Sequence, residues 1–216
     1  FFSAAEVIPL TFLTVEAWSF LQLGAAQESR SRTPFPHRWA AMFLVAVGFW
    51  NFLGAGIFGF LINLPIVSYF EVGTALTSNH GHAALFGVFG MLALAVLVFC
   101  LRSLADDATW ARAERWIRIG FWGLNSGLAL MMAVDLFPAG VLQLWDVLQN
   151  GYWHARRLTF LMSGTFHTLE WARSAADTVF LVVGVVPVVV AVAIRASEPG
   201  AAGSSPVVGI RRSIPA

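Results

Sequence analysis

Apolar residues along this chain gather into long runs separated by short polar connections, and the lengths of those runs decide the class. A helix that crosses a bilayer needs roughly 20 mainly apolar residues. Runs of that kind occupy about 1–23, 39–64, 79–101 and 116–136, and a shorter one, about 178–194, is almost entirely Val, Leu, Ala and Gly. The pattern predicts an all-α fold, a polytopic transmembrane helix bundle of about five spanning helices. Residues 138–177 are too mixed to span. Their apolar positions Val141, Leu142, Leu144, Trp145 and Leu148 predict a helical extension, followed by a partly ordered interfacial loop. From Ser197 onward Gly, Ser and Pro dominate, which predicts a disordered tail. One membrane domain is expected over residues 1–196, with 197–216 as a cytoplasmic tail.

Composition agrees. Hydrophobic residues make up 58% of the chain and charged residues 12%, with a mean hydropathy of +0.73. Soluble domains carry about twice that charge fraction, so a bilayer must solvate much of this surface. The net charge is +1 and every one of the thirteen cations is arginine. No basic stripe of the kind that tracks nucleic acid is present. Cys100 has no second cysteine to pair with. The chain opens at Phe1 within an apolar stretch, and the expectation is that the protein continues upstream.

Arginine placement predicts the orientation. The connections 24–38 and 102–118 and the segment from Arg195 onward carry three, four and three arginines, whereas 65–78 carries none. Basic connections stay in the cytoplasm, so 65–78 and the long segment 138–177 face outward. The expected location is the cell inner (cytoplasmic) membrane.

The third run opens Asn79-His80-Gly81-His82-Ala83-Ala84. Ionisable groups inside a membrane helix are costly and tend to be functional. On an α-helix, positions i and i+2 point about 200° apart. The two imidazoles therefore cannot share one metal, but each can ligate a different centre on either flank. Two haems with imidazole as axial ligand use that geometry well, and Gly81, Ala83 and Ala84 leave room for flat macrocycles. The alternative is that both histidines only hydrogen-bond to neighbouring helices.

Phe49-Trp50-Asn51-Phe52-Leu53-Gly54-Ala55-Gly56-Ile57-Phe58-Gly59-Phe60, continuing through His80-Gly81-His82, resembles the haem-bearing helix pair of nitric oxide reductases, members of the haem–copper oxidase superfamily. The stretch from Gly140 to Arg156, with Asn150-Gly151-Tyr152-Trp153-His154-Ala155-Arg156, looks like the single-chain quinol-dependent branch. The resemblance implies reduction of nitric oxide to nitrous oxide at a haem/non-haem iron centre, with electrons from quinol and two b-type haems. It assigns His80 to the high-spin haem iron and His82 to the low-spin haem iron. It also places a catalytic carboxylate at Glu6, in Phe2-Ser3-Ala4-Ala5-Glu6, where the alternative is a structural hydrogen bond. The quinol carboxylate matches Asp177, at the outer start of the fifth run, with a helix N-cap as its alternative. The family's non-haem iron ligands lie upstream of this chain, so the implied partners are the upstream remainder of the protein, quinol, nitric oxide and membrane lipid. An oxygen-reducing oxidase of the same superfamily and a non-catalytic haem-binding electron-transfer protein remain as alternatives.

Gly54-x-Gly56-x-x-Gly59 has the dinucleotide-site spacing but lies within a spanning run, where close packing explains it better. Gly123 and Gly127 form a GxxxG step expected to pack against another helix. Glu16 lies deep in the first run, and Asp135 is expected to mark where the fourth helix reaches water.

Overall fold

A computed structural model describes residues 5, 7–31 and 35–197. Glu6 and residues 198–216, on which the catalytic-carboxylate and most of the tail expectations fall, lie outside the described residues. Helix α1 is Val7–Ser31. Then come α2 (Arg38–Ile62), the short α3 (Pro65–Glu71), α4 (Ala75–Leu104), α5 (Asp107–Asn150), a 3-10 turn at His154–Arg156, the short α6 (Leu158–Leu161) and α7 (Gly164–Ala196). No strand occurs among the described residues. Among the described residues, four helices (α2, α4, α5 and α7) are long and apolar enough to cross a membrane. The first expected span begins outside the described residues and is one continuous 25-residue helix from Val7.

One expectation about the later helices is corrected. The segment read as an interfacial loop is helical over Gly164–Thr178 and runs unbroken into the last span. The expected extension beyond the fourth run is helical and continuous with it, so that α5 passes Pro138 and reaches Asn150, for 44 residues. At roughly 1.5 Å per residue, α5 is about 66 Å long, about twice the hydrocarbon thickness. The physical reason lies in π-helical turns. A proline inside a helix removes one N–H and crowds the carbonyl four residues back. Here Met132–Leu136 widens to a π turn just before Pro138, and Val179–Val185 does so just before Pro187. Each wider turn accommodates the proline without ending the helix.

Helices meet where side chains are smallest. A Cβ on Gly123 would lie 2.1 Å from the Val183 carbonyl oxygen, and one on Gly127 would lie 2.6 Å from Phe180 Cα, so the GxxxG step seats α5 directly on α7. A Cβ on Gly54 would meet that of Ala83 at 2.6 Å, and one on Gly87 would meet Trp50 at 2.5 Å. These two contacts clamp α2 to α4 where both helices are π-helical, at Asn51–Phe58 and His82–Gly90. Behind them Phe43, Val47, Met91 and Ile117 are fully buried. Outward faces remain apolar, with Phe52, Leu85, Phe89, Trp122, Leu181 and Val189 exposed, as a lipid-solvated bundle requires.

Candidate functional site

The start of α4 is fixed before the histidines begin. Thr74 caps the helix, its hydroxyl accepting from Leu76 N at 3.3 Å, a type of contact that stabilises a helix by about 1 kcal/mol. Gln143 of α5 accepts from Ala75 N at 2.7 Å, satisfying a further first-turn donor. Gly140 lets α5 come this close, since a Cβ there would sit 2.4 Å from Leu76 N.

His80 and His82 then follow on different flanks. His80 turns toward α2, where its Nδ1–H donates to the Gly54 carbonyl at 2.8 Å. Gly59 leaves the ring its space, since a Cβ there would be 3.0 Å from His80 Cε1. His82 faces α7, and its Nδ1–H donates to its own helix at Ser78 O, 2.8 Å away. A carbonyl can only accept, so both rings carry their proton on Nδ1 and present Nε2 as a lone pair. That is the tautomer and supporting hydrogen bond of a metal-ligating histidine. Between the rings, a Cβ on Gly81 would meet nothing within 4 Å. A cleft of about 620 Å³ is lined by Ser78, Gln143, Leu161, Phe166, His167 and Ser174, among others. The donor chemistry and the open space at Gly81 fit haem, and neither His80 nor His82 lines the cleft. Among the described residues no group of three or more His, Cys, Asp or Glu side chains converges on a point that would hold a metal, so a non-haem iron finds no ligand set in them.

On the α7 side lies a polar cluster that sequence reading did not assemble. Arg173 Nη2 is 3.2 Å from His82 Nε2, its Nε is 3.4 Å from Asp177 Oδ2, and its Nη1 is 4.0 Å from Asp135 Oδ2. Asp135, expected where its helix meets water, is instead 2% exposed within α5. The correction has the same cause as the unbroken helix, the π turn that carries α5 past Pro138. Asp177, expected at the outer start of the last helix, lies well inside α7, which removes the N-cap alternative. His167 also belongs to α7 and is engaged away from the paired histidines; its Nε2 accepts from Trp171 Nε1 at 2.9 Å. A signal for this helix was present in the spacing of His167, Glu170, Arg173 and Asp177, three or four residues apart along one helical face.

Two further buried polar groups stand beside the histidines. Asn79 is fully buried. Glu71, at the end of α3, is 1% exposed, and both its carboxylate oxygens lie 3.3 Å from the Thr77 hydroxyl. Burial pushes the Glu71 carboxyl above its ordinary range, an effect that Thr77, His80 and Arg156 partly offset.

Glu16 is exposed on α1 and borders an apolar pocket of about 380 Å³ that includes His37. His37 stacks on Phe99 at 4.6 Å, and desolvation, then Arg102, lowers its pKa.

Residues 1–179 match the family described as Cytochrome C and Quinol oxidase polypeptide I. Over 151 residues, 67% of this chain, the sequence is 32% identical to a nitric oxide reductase subunit of Stutzerimonas stutzeri. The chain spans 29% of that relative's length. Family match, helical membrane architecture and paired imidazoles agree: this multi-pass membrane chain belongs to the haem–copper oxidase family, whose histidines bind haem.

Proposed function

We propose that the chain is the haem-ligating C-terminal part of a quinol-dependent nitric oxide reductase of the inner membrane. His80 would hold the high-spin haem iron and His82 the low-spin haem iron, both haems of b type. The observation that carries the reading is the pair of Nδ1–H donations, to Gly54 O and Ser78 O, which leave both Nε2 atoms unprotonated, with His80 against α2 and His82 beside Arg173 of α7. The relative that gives the reaction its name is a nitric oxide reductase subunit.

The haems, when bound, supply one-electron transfer and the iron at which substrate is reduced. This chain's residues do the rest of their work by position. Gly54 and Ser78 hold the ring tautomers. Asp177, with Arg173 at 3.4 Å, is a carboxylate able to accept a hydrogen bond from a quinol hydroxyl and take its proton on oxidation. Glu6 is the second carboxylate of the reading, serving proton delivery near the binuclear centre, and the non-haem iron is held by upstream residues.

The test uses the full-length protein in membranes with a reduced quinol. Consumption of nitric oxide with nitrous oxide as product supports the reading. Oxygen consumption without nitric oxide turnover replaces it with the oxidase reading, which the family's oxidase members favour. Haem content with no turnover of either gas leaves the electron-transfer reading.

A further inference from the structure

Glu71 is a deeply buried carboxylate that the reading above leaves without a task, and its surroundings give it one. Carboxylates are rarely buried unless paired or used. Glu71 sits in the connection between α2 and α4, 1% exposed, with both oxygens 3.3 Å from the Thr77 hydroxyl. Thr77 Oγ1 also accepts from Gly73 N at 3.1 Å, so its single proton is directed at the carboxyl. Positions i and i+3 of a helix share a face, and Thr77 and His80 stand in that relation on α4. Glu71 therefore lies over the face that carries His80, one turn closer to the end of the bundle that holds the Pro65–Glu71 connection.

The segment around Glu71 is held in place. Thr74 N donates to Glu71 O at 2.8 Å. Tyr152 Oη donates to Val72 O at 3.1 Å, and Arg156 donates to the same carbonyl while lying over the Tyr152 ring at 3.5 Å. The charged and titratable groups facing the carboxyl are His80 from α4 and Arg156 from the 3-10 turn.

We propose that Glu71 is a proton relay: a carboxyl that takes a proton from the side of the Pro65–Glu71 connection and passes it toward the His80 site. The proposal rests on the nitric oxide reductase reading, in which two nitric oxide molecules, two electrons and two protons yield nitrous oxide and water. Glu71 receives one proton from water at that surface and releases it toward the forming water, ending each turnover in its starting state. Its raised pKa suits the task, because a carboxyl that titrates closer to neutrality can both hold and give up a proton. Since Glu71 acts through groups nearer the iron, it is a positioning residue.

The test compares full-length wild type, Glu71→Gln and Glu71→Asp. With an artificial electron donor, Glu71→Gln is expected to lower turnover at least about tenfold, the lower range of proton-transfer contributions being about a hundredfold, and to flatten its pH profile. Glu71→Asp should keep much of the rate, and the haem spectra should stay wild type in both. Independently of turnover, infrared difference spectra of protein carrying isotope-labelled glutamate should show a protonated carboxyl band that titrates and that Glu71→Gln removes. A wild-type rate and pH profile in Glu71→Gln, or no titrating Glu71 band in the labelled wild type, overturns the proposal. If the wild type turns over no nitric oxide, the parent reading fails, and the infrared titration still decides whether Glu71 carries a proton.

Discussion

The His80 ring closes onto the carbonyl oxygen of Gly54, 26 residues earlier in the chain, at 2.8 Å. That one contact joins the π-helical segment of α2 to the α-helical turn that precedes the π segment of α4, and it fixes the imidazole tautomer. It exists because Gly54 has no side chain: its position against Ala83 is already closer than any Cβ allows.

Gly54→Val is therefore expected to force α2 and α4 apart. Overpacking of this kind costs about 1–3 kcal/mol. The variant should show a lower melting temperature in detergent and a weakened high-spin haem signal, while the signal assigned to His82 persists. Equal loss of both signals would mean that Gly54 supports the fold generally and has no special tie to His80.

Gly123→Ala tests the second seam, remote from the histidines. A methyl group there meets the Val183 backbone at 2.1 Å, where no flexible side chain can yield. Destabilisation of about 1–3 kcal/mol is expected from the displaced contact, measured by thermal unfolding, with spectra of the folded fraction unchanged.

Asp177→Asn should slow quinol oxidation more than turnover with an artificial donor, because the carboxylate that would take the quinol proton is gone. Equal slowing with both donors would refute the quinol role and leave Asp177 as a partner of Arg173 alone.

Asp106 supplies the expected pH dependence on the opposite side of the bundle. It caps α5, accepting from Thr109 N at 2.7 Å, and this bond holds its carboxyl below the ordinary aspartate range. A group whose folded pKa is depressed stabilises the protein above its unfolded pKa, and the contribution disappears as pH falls through the folded value. Asp106→Asn should thus narrow the difference in melting temperature between neutral and acid pH.

Span positions were legible because lipid imposes run lengths that local composition reveals. So was the divergence of His80 and His82, which follows from helical geometry alone. The continuity of the last span with the helical segment before it was not, and nothing local announces the π turns that absorb Pro138 and Pro187. Polar residues at 164–178 concealed a helix, although one face of it repeats every three or four residues. Arg173 escaped notice for a different reason. Its partners His82 and Asp135 lie on other helices, 91 and 38 positions away in the sequence, and only tertiary packing brings them together. Glu71 was missed likewise, since a lone glutamate in a connection looks solvated until the loop folds over it.

The most direct measurement is optical and EPR spectroscopy of the intact protein with His80 and His82 replaced singly by alanine. The account predicts two haem signals in the wild type, loss of the low-spin signal in His82→Ala and perturbation of the high-spin signal in His80→Ala. Wild-type spectra in both variants, or no porphyrin in the purified wild type, would contradict it.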